Sequence, residues 1–359
     1  MDQQPQQDPL VQDPLVQDFQ SAVLSLCLPT YKRARLLREA LEAVLGQISA
    51  AEAGLVEVVV LDNASPDDTP AVVEACGREA PHVRLRYLRH AENIGMDANF
   101  LAAMQQAQGK FVCLLSDDDI LLPGAVAKLL ALIQAHSEFD GFCLNVSSFR
   151  TDPAEMSPLM LAVTEDTVLR SPDEVLHLVR SSITFLSVLV FRKARIEAPL
   201  AAGKYADMIG TYCVQGYIYL DAVAAGKNFV AVARPMVANR VENSHALNYF
   251  EVFITELTAL LEYAERLGFS RQVIQSIKDD NLKDARYFIT RVKIYGRQTE
   301  GWSSRADAIR RLFRVYGFHP YLWLVMVPLM FFPPFLRPLA FLVRRLLGRP
   351  YIAPKEGSG

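Results

Sequence analysis

The chain has 359 residues, of which 51% are hydrophobic and 21% charged, and its formal net charge at pH 7 is −3. This length and composition allow a large core in one large or two ordinary domains, and they exclude a chain that is disordered throughout. The small net charge hides an asymmetry, because residues 1–20 carry four aspartates and no base, whereas residues 283–349 carry 13 Lys or Arg against 3 acids. These bases are mixed with Leu, Phe, Pro and Trp, which favours an anionic lipid surface over nucleic acid, with a solvated basic helix face as the alternative.

The cysteines indicate the redox setting. They are odd in number, far apart and mostly set in apolar runs: Cys27, Cys76, Cys113, Cys143 and Cys213. This pattern is typical of buried thiols in a reducing cytoplasm and not of a disulfide framework or a zinc site. The N-terminus has neither the basic patch nor the apolar stretch of a secretory signal, so we expect no export.

Residues 1–20 contain the tandem repeat QDPLVQDPLVQD, which has prolines and no apolar face wide enough to pack, so we expect a disordered leader. After the leader, apolar runs typical of strands alternate with segments of helical spacing. The predicted strands are 22–28, 56–61, the alternating run VRLRYLRH and the buried run KFVCLL. The predicted helices follow PTYKR, begin near Thr69 and span MDANFLAAMQQAQ. Such alternation implies βαβ units and a parallel sheet with right-handed crossovers.

Acidic residues follow two of the predicted strands. Asp62 ends the second strand, and Asp117, Asp118 and Asp119 directly follow the apolar run 111–115. In open parallel sheets, ligands bind outside the carboxyl ends of the strands. Crowded carboxylates raise one another's pKa unless a cation compensates them, and Mg²⁺ or Mn²⁺ bridging to a phosphate does so through the oxygen ligands that it prefers. The alternative, a helix N-cap for the apolar helix that follows, explains one aspartate but not three.

Four segments in order resemble the family-2 glycosyltransferases: LSLCLPTYKRARLLREAL, VVVLDNASPDDT, NIGMDANF and LLSDDD. The last two together are most similar to abequosyltransferase-like enzymes of O-antigen and exopolysaccharide assembly. The resemblance covers about residues 22–135 closely and 180–245 weakly. It implies an α/β GT-A fold, Rossmann-like, with a mixed, mostly parallel sheet flanked by helices. The implied domain is 21–248, divided into a nucleotide-sugar half (21–135) and an acceptor half (136–248).

The resemblance also implies roles for single residues. In similar enzymes the matching positions bind the nucleotide-sugar donor, which carries this role onto Thr30, Tyr31, Asp62, Asn63, Asn93, Asp97, Asn99, Asp117 and Arg240. Asp62 matches the residue that hydrogen-bonds the nucleobase, and Asp117 matches the ribose-side carboxylate. Asp118 matches the ligand of the divalent cation, Mn²⁺ or Mg²⁺, and Asp119 binds that metal indirectly or faces the sugar. Ser116 replaces the first aspartate of the commoner DxDD form, so the exact metal shell stays open.

An inverting transfer needs a base on the opposite face of the sugar, which takes the proton of the acceptor hydroxyl. Relatives place an Asp or a His near the start of the helix after IGTY, where this chain has Gln215. A Gln does not accept a proton as a carboxylate does. Asp207, in the loop just upstream, is therefore our first candidate for the catalytic base, and Asp221 is the second. In similar enzymes a strand of the kind predicted here over 183–191 begins the acceptor half.

The C-terminal part is predicted in two sections. Residues 249–317 show helical spacing of apolar residues and predict a helical extension. Residues 318–359 form an apolar and basic tail, in which the run from Tyr321 to Leu336 has no charge. This run contains three prolines and is shorter than the roughly 20 residues of a spanning helix, so we expect a membrane anchor over 318–349 that is in-plane or re-entrant. Packing of the tail on its own catalytic domain or in a homo-oligomer interface is the alternative.

Together these features predict a metal-dependent, inverting glycosyltransferase that moves a sugar from a nucleotide-sugar donor to a saccharide acceptor. The resemblance implies a lipid-linked, polyprenyl acceptor and a place at the cytoplasmic face of a bacterial inner membrane, with no nucleic-acid partner. One alternative is a membrane-associated scaffold that binds the nucleotide sugar without turnover, which the Gln at position 215 favours. The other is a nucleotidyltransferase, which the lack of a glycine in PTYKRARLL disfavours.

Overall fold

The structure is a computed structural model, and it describes the following residues: 11–12, 22–149, 160–240, 250–295, 305–317 and 319–331. They divide into two compact units, which we describe separately. The first unit holds the described residues up to 240 together with 259–274. The second unit holds 250–258 and the described residues from 275 onward.

From β2 to β5, strands and helices alternate as the sequence predicts. The strands of the described residues are β1 (Val11–Gln12), β2 (Leu24–Thr30), β3 (Val56–Asp62), β4 (Arg84–Arg89), β5 (Phe111–Leu114), β6 (Ile120–Leu121), β7 (Gly141–Phe149), β8 (Thr167–Leu169), β9 (Leu189–Arg192) and β10 (Phe229–Arg240). The α-helices are α1 (Ala34–Leu45), α2 (Thr69–Glu79), α3 (Met96–Gln106), α4 (Ala125–Ala135), α5 (Pro172–Val179), α6 (Glu197–Ala201), α7 (Val214–Ala225), α8 (Leu257–Arg266), α9 (Arg271–Tyr295), α10 (Arg305–Tyr316) and α11 (Val327–Met330).

These strands form one mixed sheet in the order β1-β4-β3-β2-β5-β9-β7-β10-β6, and β8 also pairs with β10. Strands β4, β3, β2 and β5 run parallel to one another. Strand β9 is antiparallel to β5 and β7, and β7 and β10 are again parallel. Parallel strands joined by helical crossovers confirm the predicted mixed, mostly parallel α/β architecture.

The central strands are mostly apolar because both faces of the sheet are covered. β2 and β3 are buried at every position, which is the pattern expected of strands covered on both sides. Helix α1 contributes one stripe of buried side chains: Leu37, Ala40, Leu41, Val44 and Leu45. The loop after α3 approaches β2 so closely that it requires Gly109, since a Cβ there would lie 2.7 Å from the backbone nitrogen of Ser25.

The first strand ends later than predicted. Pro29 and Thr30, predicted as the turn, still belong to β2, and Thr30 pairs in register with Asp62 at the end of β3. The expected disordered leader contains the short strand β1, which pairs antiparallel with β4. The other residues of 1–20 lie outside the described residues.

The predicted strand over 183–191 is wrong for residues 183–188. There the chain forms two 3₁₀ turns, Arg180–Thr184 and Leu186–Val188, before β9 begins at Leu189. The hydroxyl of Ser187 explains the difference, because it donates a hydrogen bond to Asp119 in the acidic loop after β5.

The second unit is helical and has a small core of its own. Its buried side chains are Ile254, Leu282, Ala285, Leu312, Tyr316, Leu322, Met326 and Met330. After α10, a π-helical turn over Leu322–Met326 leads into the four-residue helix α11. None of the helices in the described ranges combines the length and apolar content that crossing a bilayer requires. Residues 332–359, which carry much of the predicted anchor, lie outside the described residues.

Candidate active site

The carboxyl ends of β2, β3 and β5 meet at one edge of the sheet. Thr30 at the end of β2 pairs in register with Asp62 at the end of β3. The hydroxyl of Thr30 also donates a hydrogen bond of 2.7 Å to Oδ2 of Asp117, just beyond β5. Three predicted donor-binding residues therefore lie side by side, at the edge where parallel sheets bind ligands.

Two of the three consecutive aspartates, Asp117 and Asp118, pair with the same guanidinium group, that of Arg33. Asp117 accepts hydrogen bonds from Thr30 on Oδ2 and, at 2.9 Å, from Nη1 of Arg33 on Oδ1. Asp118 accepts from the hydroxyl of Ser116 on Oδ1 at 2.6 Å and from the same Nη1 of Arg33 on Oδ2 at 3.1 Å. One guanidinium nitrogen thus bridges two carboxylates that are both buried.

Asp119 has a separate set of partners. It is completely buried, and its oxygens accept hydrogen bonds from the hydroxyl of Ser187 at 2.8 Å and from Nδ2 of Asn239 at 2.9 Å. Ser187 in turn accepts from the backbone N–H of Ser116 at 3.1 Å. Asp119 therefore links the acidic loop, residues 116–119, to the turn before β9 and to the end of β10. Its predicted role at the metal or the sugar stays a prediction.

Burial and mutual repulsion disfavour the ionised form of the carboxyl groups in this acidic cluster. Burial raises the pKa of Asp117 to about 6, although the charge of Arg33 opposes the shift. Burial and repulsion from Asp118 raise the pKa of Asp119 to about 7. Burial also disfavours the charge of Arg33, but Asp117 and Asp118 outweigh it and raise the pKa of the guanidinium. The carboxylates outnumber the cation that accompanies them, and a divalent ion relieves such an excess.

The donor set of the cluster fits a divalent cation. Oδ1 of Asp117 and Oδ2 of Asp118 already converge on one cationic nitrogen. Mg²⁺ and Mn²⁺ prefer oxygen ligands, and Mg²⁺ commonly takes one or two carboxylates and completes its shell with water and substrate phosphates. In the part of the chain that the structure describes, no group of three or more His, Cys, Asp or Glu side chains is arranged to hold a metal ion. The residues therefore fit a cation that arrives with a phosphate better than a metal held by the protein alone.

Asp62 and Asn63, the predicted contacts of the nucleobase, have partners inside the protein. Asp62 is completely buried and accepts hydrogen bonds from the hydroxyl of Tyr87 at 2.6 Å and from the backbone N–H of Ser65 at 2.8 Å. Asn63 donates to Oδ1 of Asn93 at 3.0 Å. Both residues shape the loops at this edge of the sheet, and a direct contact with a nucleobase stays a prediction.

Tyr31 and Asn93 lie at the exposed part of the same edge. Tyr31 is half-buried and Asn93 is exposed, and a hydrogen bond between their side chains lowers the pKa of the Tyr31 phenol. The ammonium of Lys32 lies 5.0 Å from the centroid of the Tyr31 ring. Lys32 has a φ of 57°, which non-glycine residues rarely adopt and which marks stored backbone strain. Two further donor-binding candidates are thus brought together beside a cation.

A family model for Glycosyl transferase family 2 matches residues 25–192, from β2 to the end of β9. Residues 25–192 are a family-2 glycosyltransferase domain. The match includes the ends of β2, β3 and β5, the acidic loop and the turn that carries Ser187. The predicted family is confirmed for this glycosyltransferase domain.

Two of the curated relatives of this chain are named as transferases of sugars. The chain is 30% identical over 117 residues to abequosyltransferase RfbV of Salmonella typhimurium, which covers 32% of this chain and 34% of the relative. It is 31% identical over 122 residues to the GalNAc(5)-diNAcBac-PP-undecaprenol beta-1,3-glucosyltransferase of Campylobacter jejuni, which covers 34% of this chain and 38% of the relative. The matched segments thus span about a third of the length of these relatives.

Solved structures share the fold over most of the chain. The TarS 1–349 fragment of S. aureus in complex with UDP has a TM-score of 0.59 and 18% identity, and the match covers 91% of this chain and 88% of that one. The mannosyltransferase PcManGT of Pyrobaculum calidifontis in complex with GDP-Man and Mn²⁺ has a TM-score of 0.51 and 16% identity, and the match covers 96% and 92%. At these identities the likeness concerns the fold alone, and it confirms a GT-A-like architecture.

Asp97, which lies within the matched residues 25–192, binds a loop of the predicted acceptor half. It is buried, and its Oδ2 accepts from the backbone N–H groups of Gly210 and Tyr212, both at 2.8 Å, while Oδ1 accepts from that of Val214 at 3.3 Å. Val214 is the first residue of α7, so Asp97 caps this helix with a negative charge. Burial raises the pKa of Asp97 despite these hydrogen bonds. In this structure the carboxylate of Asp97 positions the loop before α7. A contact of Asp97 with the donor stays a prediction.

Two other donor-binding candidates, Asn99 and Arg240, each hold a buried polar atom that has no hydrogen-bond partner among the described residues. Asn99 donates to the carbonyl of Leu61 at 3.1 Å and leaves Oδ1 without a partner. Arg240 pairs with Glu39 at 2.5 Å and lies over the ring of Phe149, and its Nε is the unpaired atom. Buried polar atoms normally find a partner, so a water or a ligand is expected to complete the bonding at both places.

Asp221, the second candidate for the base, is enclosed by other side chains. It is buried and accepts hydrogen bonds from the hydroxyls of Tyr205 at 2.7 Å and Tyr263 at 2.8 Å. Lys204 forms an ion pair with it at 2.7 Å. This network joins α7 to α8 and gives both oxygens of Asp221 partners within the protein.

Asp207, the first candidate, is exposed on the 3₁₀ turn Ala206–Met208, directly before the loop that Asp97 holds. Gln215, at the position where relatives carry the base, is buried in the first turn of α7 and donates to the carbonyl of Thr184 at 2.7 Å. Its Oε1 has no hydrogen-bond partner in the described ranges. Of the two carboxylates, Asp207 is therefore the one that is free to meet a substrate.

Proposed function

We propose that this protein is a metal-dependent, inverting glycosyltransferase, which moves a sugar from a nucleotide-sugar donor to a saccharide acceptor on a polyprenyl lipid in bacterial surface polysaccharide synthesis. One observation carries the proposal. Oδ1 of Asp117 and Oδ2 of Asp118 converge on the guanidinium of Arg33 at the ligand-binding edge of a family-2 glycosyltransferase domain. A nucleoside diphosphate is the ligand whose charge such a cation matches.

The residues at the edge have distinct tasks in this reaction. Thr30 and Ser116 each hold one oxygen of Asp117 and Asp118, so that the other oxygen of each points at the cation. A Mn²⁺ or Mg²⁺ ion held there supplies Lewis-acid stabilisation for the departing diphosphate. Carboxylates fixed in advance need no reorganisation as charge develops, which is the main source of electrostatic catalysis.

Asp207 is the proposed catalytic base. Its carboxylate is exposed on a loop whose far end Asp97 fixes through three backbone N–H groups. This anchoring leaves the side chain of Asp207 accessible while limiting the motion of the loop that carries it. An accessible carboxylate in this position can take the proton of an acceptor hydroxyl.

The proposed acceptor and location rest on the relatives and on the second unit. The name of the Campylobacter jejuni relative specifies an undecaprenol-linked saccharide, which supports a lipid-linked acceptor for this chain. In the second unit the exposed large apolar side chains include Trp323, Leu324 and Phe331, with Leu324 at 77% exposure. Apolar and indole side chains of this kind suit the interface of a bilayer. We therefore propose a peripheral or monotopic position at the cytoplasmic face of the inner membrane.

Nucleotide binding and release test the proposed function. The full chain, screened with nucleoside diphosphates and their sugars, is expected to gain about 5 °C in melting temperature with one base at saturation, in the presence of Mn²⁺ and not of EDTA. A bacterial membrane-lipid extract should then stimulate release of that nucleoside diphosphate. No binding with any nucleotide would contradict the proposal, and binding without release would favour the scaffold.

Truncation tests the membrane proposal. Removal of residues 318–359 is expected to abolish co-sedimentation with vesicles that contain anionic lipid, because the exposed apolar side chains and the C-terminal arginines are lost together. The gain in melting temperature on nucleotide binding should persist, because the nucleotide site lies in the first unit, whereas the second unit loses Leu322, Met326 and Met330 from its core. A truncated chain that still sediments with vesicles would exclude the tail as the anchor, and a change from dimer to monomer would instead assign it to an oligomer interface.

A further inference from the structure

Arg33 holds the position in which a cation meets both carboxylates. It lies directly between β2 and α1, and Nη1 is 2.9 Å from Asp117 and 3.1 Å from Asp118. Among the described residues no other carboxylate pairs with this guanidinium, and its side chain is 36% exposed. Sequence patterns did not mark Arg33, because it lies 84 and 85 residues from the two aspartates.

Each carboxylate offers only one oxygen to a cation. The second oxygen of Asp117 is held by Thr30, and the second oxygen of Asp118 is held by Ser116. A metal ion that binds to both offered oxygens would take the place that Nη1 of Arg33 occupies between them. Two cations cannot share that position, since unit charges a few ångströms apart repel each other strongly in a partly buried site.

Another buried ion pair of the same domain shows what a purely structural pair looks like. Glu57 has no exposed surface, Arg86 is 9% exposed, and the carboxylate is also held by the hydroxyl of Ser25. Arg33 differs because its side chain is about one third exposed and because a single nitrogen, Nη1, contacts both carboxylates. The remaining guanidinium nitrogens are available to a ligand, and guanidinium is well suited to bidentate contact with phosphate.

We propose that Arg33 is an exchangeable counter-ion: it occupies the cation position while no nucleotide is bound, and it moves onto the diphosphate when a metal ion arrives with the nucleotide. This inference deepens the proposed function and rests on it. The exchange makes the bindings of metal and nucleotide cooperative, because the metal must displace Arg33 and the nucleotide then gives the displaced guanidinium a new partner. By linkage, each ligand raises the affinity for the other by the same factor.

The test is direct measurement of Mn²⁺ binding to the full chain by electron paramagnetic resonance. The probes are Mn²⁺ alone and Mn²⁺ with saturating UDP or GDP, the nucleotide being the one that raises the melting temperature of the wild-type chain. For the wild type, the nucleotide is expected to tighten Mn²⁺ binding by about tenfold or more. In Arg33→Met, Mn²⁺ alone should bind about tenfold more tightly, while the affinity for the nucleotide at saturating Mn²⁺ falls by a similar factor.

Arg38→Met is the matched control. Arg38 lies on α1 and pairs with Glu42 and Glu79 at the surface, so its removal should change neither affinity. Arg33→Gln is a second neutral variant, whose amide can still donate a hydrogen bond to the carboxylates. It should shift both affinities in the same directions by smaller factors, and it serves if Arg33→Met does not fold by circular dichroism.

The outcomes separate the inference from the proposed function. If Mn²⁺ binds equally to the wild type and to the Arg33 variants, with the same dependence on nucleotide, the exchange is overturned and metal dependence stands. If Mn²⁺ binds to neither protein with any nucleotide, metal dependence itself is overturned, and the exchange with it. Tighter binding of Mn²⁺ alone together with weaker binding of nucleotide in both variants supports the exchange.

Discussion

Asp118→Asn is expected to abolish Mn²⁺-dependent nucleotide binding and to reduce turnover by about 10²- to 10³-fold or more. Asn keeps the shape of the side chain and an oxygen that accepts from Ser116, but it lacks the charge that Oδ2 presents to a cation. The fold should persist, because neutralising one of three crowded carboxylates relieves repulsion and Arg33 still pairs with Asp117. Calorimetric titration of the nucleotide with and without Mn²⁺, together with melting curves, measures both effects.

The matched control for this variant is Asp166→Asn. Asp166 pairs with Lys128 on α4 and accepts from the backbone N–H of Ala233, so its neutralisation also removes one carboxylate from an ion pair. It should leave the nucleotide affinity and its dependence on Mn²⁺ unchanged. Mn²⁺-dependent binding that survives in Asp118→Asn at the wild-type affinity would contradict the assignment of Asp118 and, with it, the central observation of the proposed function.

The sheet was predictable because its signals are local. The runs in β2, β3 and β5 are mostly apolar and are separated by segments of helical spacing, which is the pattern of a covered parallel sheet. Register then follows from topology, since parallel neighbours joined by crossovers end at the same edge. For that reason the proximity of Asp62, Thr30 and Asp117 was also predictable from the sequence.

The partners of the buried carboxylates were not predictable, because they are set by contacts that join distant segments. Asp119 binds Ser187 and Asn239, which are 68 and 120 residues away. Asp97 binds backbone groups of the loop before α7, which carry no side-chain signal at all. The same contacts account for the error over 183–191, where a run with strand propensity turns to place Ser187 at the acidic loop.

These contacts also join segments that are distant in the sequence. Asp119 attaches the turn before β9 to the acidic loop, and Asp97 attaches the loop before α7 to the start of α3. Both carboxylates are buried and both carry a raised pKa, so each is costly unless its hydrogen bonds persist. We infer that the distance between the cation position and Asp207 is fixed by these two attachments rather than by the sheet alone.

Asp207→Asn is accordingly expected to lower the turnover number by about 10²- to 10⁴-fold, the usual contribution of a general base. The affinity for the nucleotide should stay at the wild-type value, because Asp207 lies on the loop before α7 and the proposed donor site lies at the ends of β2, β3 and β5. Initial rates of nucleoside diphosphate release with a membrane-lipid extract, and nucleotide titration on the same preparation, separate the two quantities.

Glu197→Gln is the control for that measurement, because Glu197 is an exposed carboxylate on α6, ten residues before Asp207. It should leave both turnover and nucleotide affinity unchanged. Full turnover in Asp207→Asn would remove Asp207 as the base. A loss of turnover in Gln215→Ala with Asp207 intact would then indicate that the start of α7 takes part in the reaction. Oε1 of Gln215 has no hydrogen-bond partner there among the described residues. A drop in turnover confined to Asp207→Asn would mean that the base has moved upstream from the helix to the loop that Asp97 holds in place.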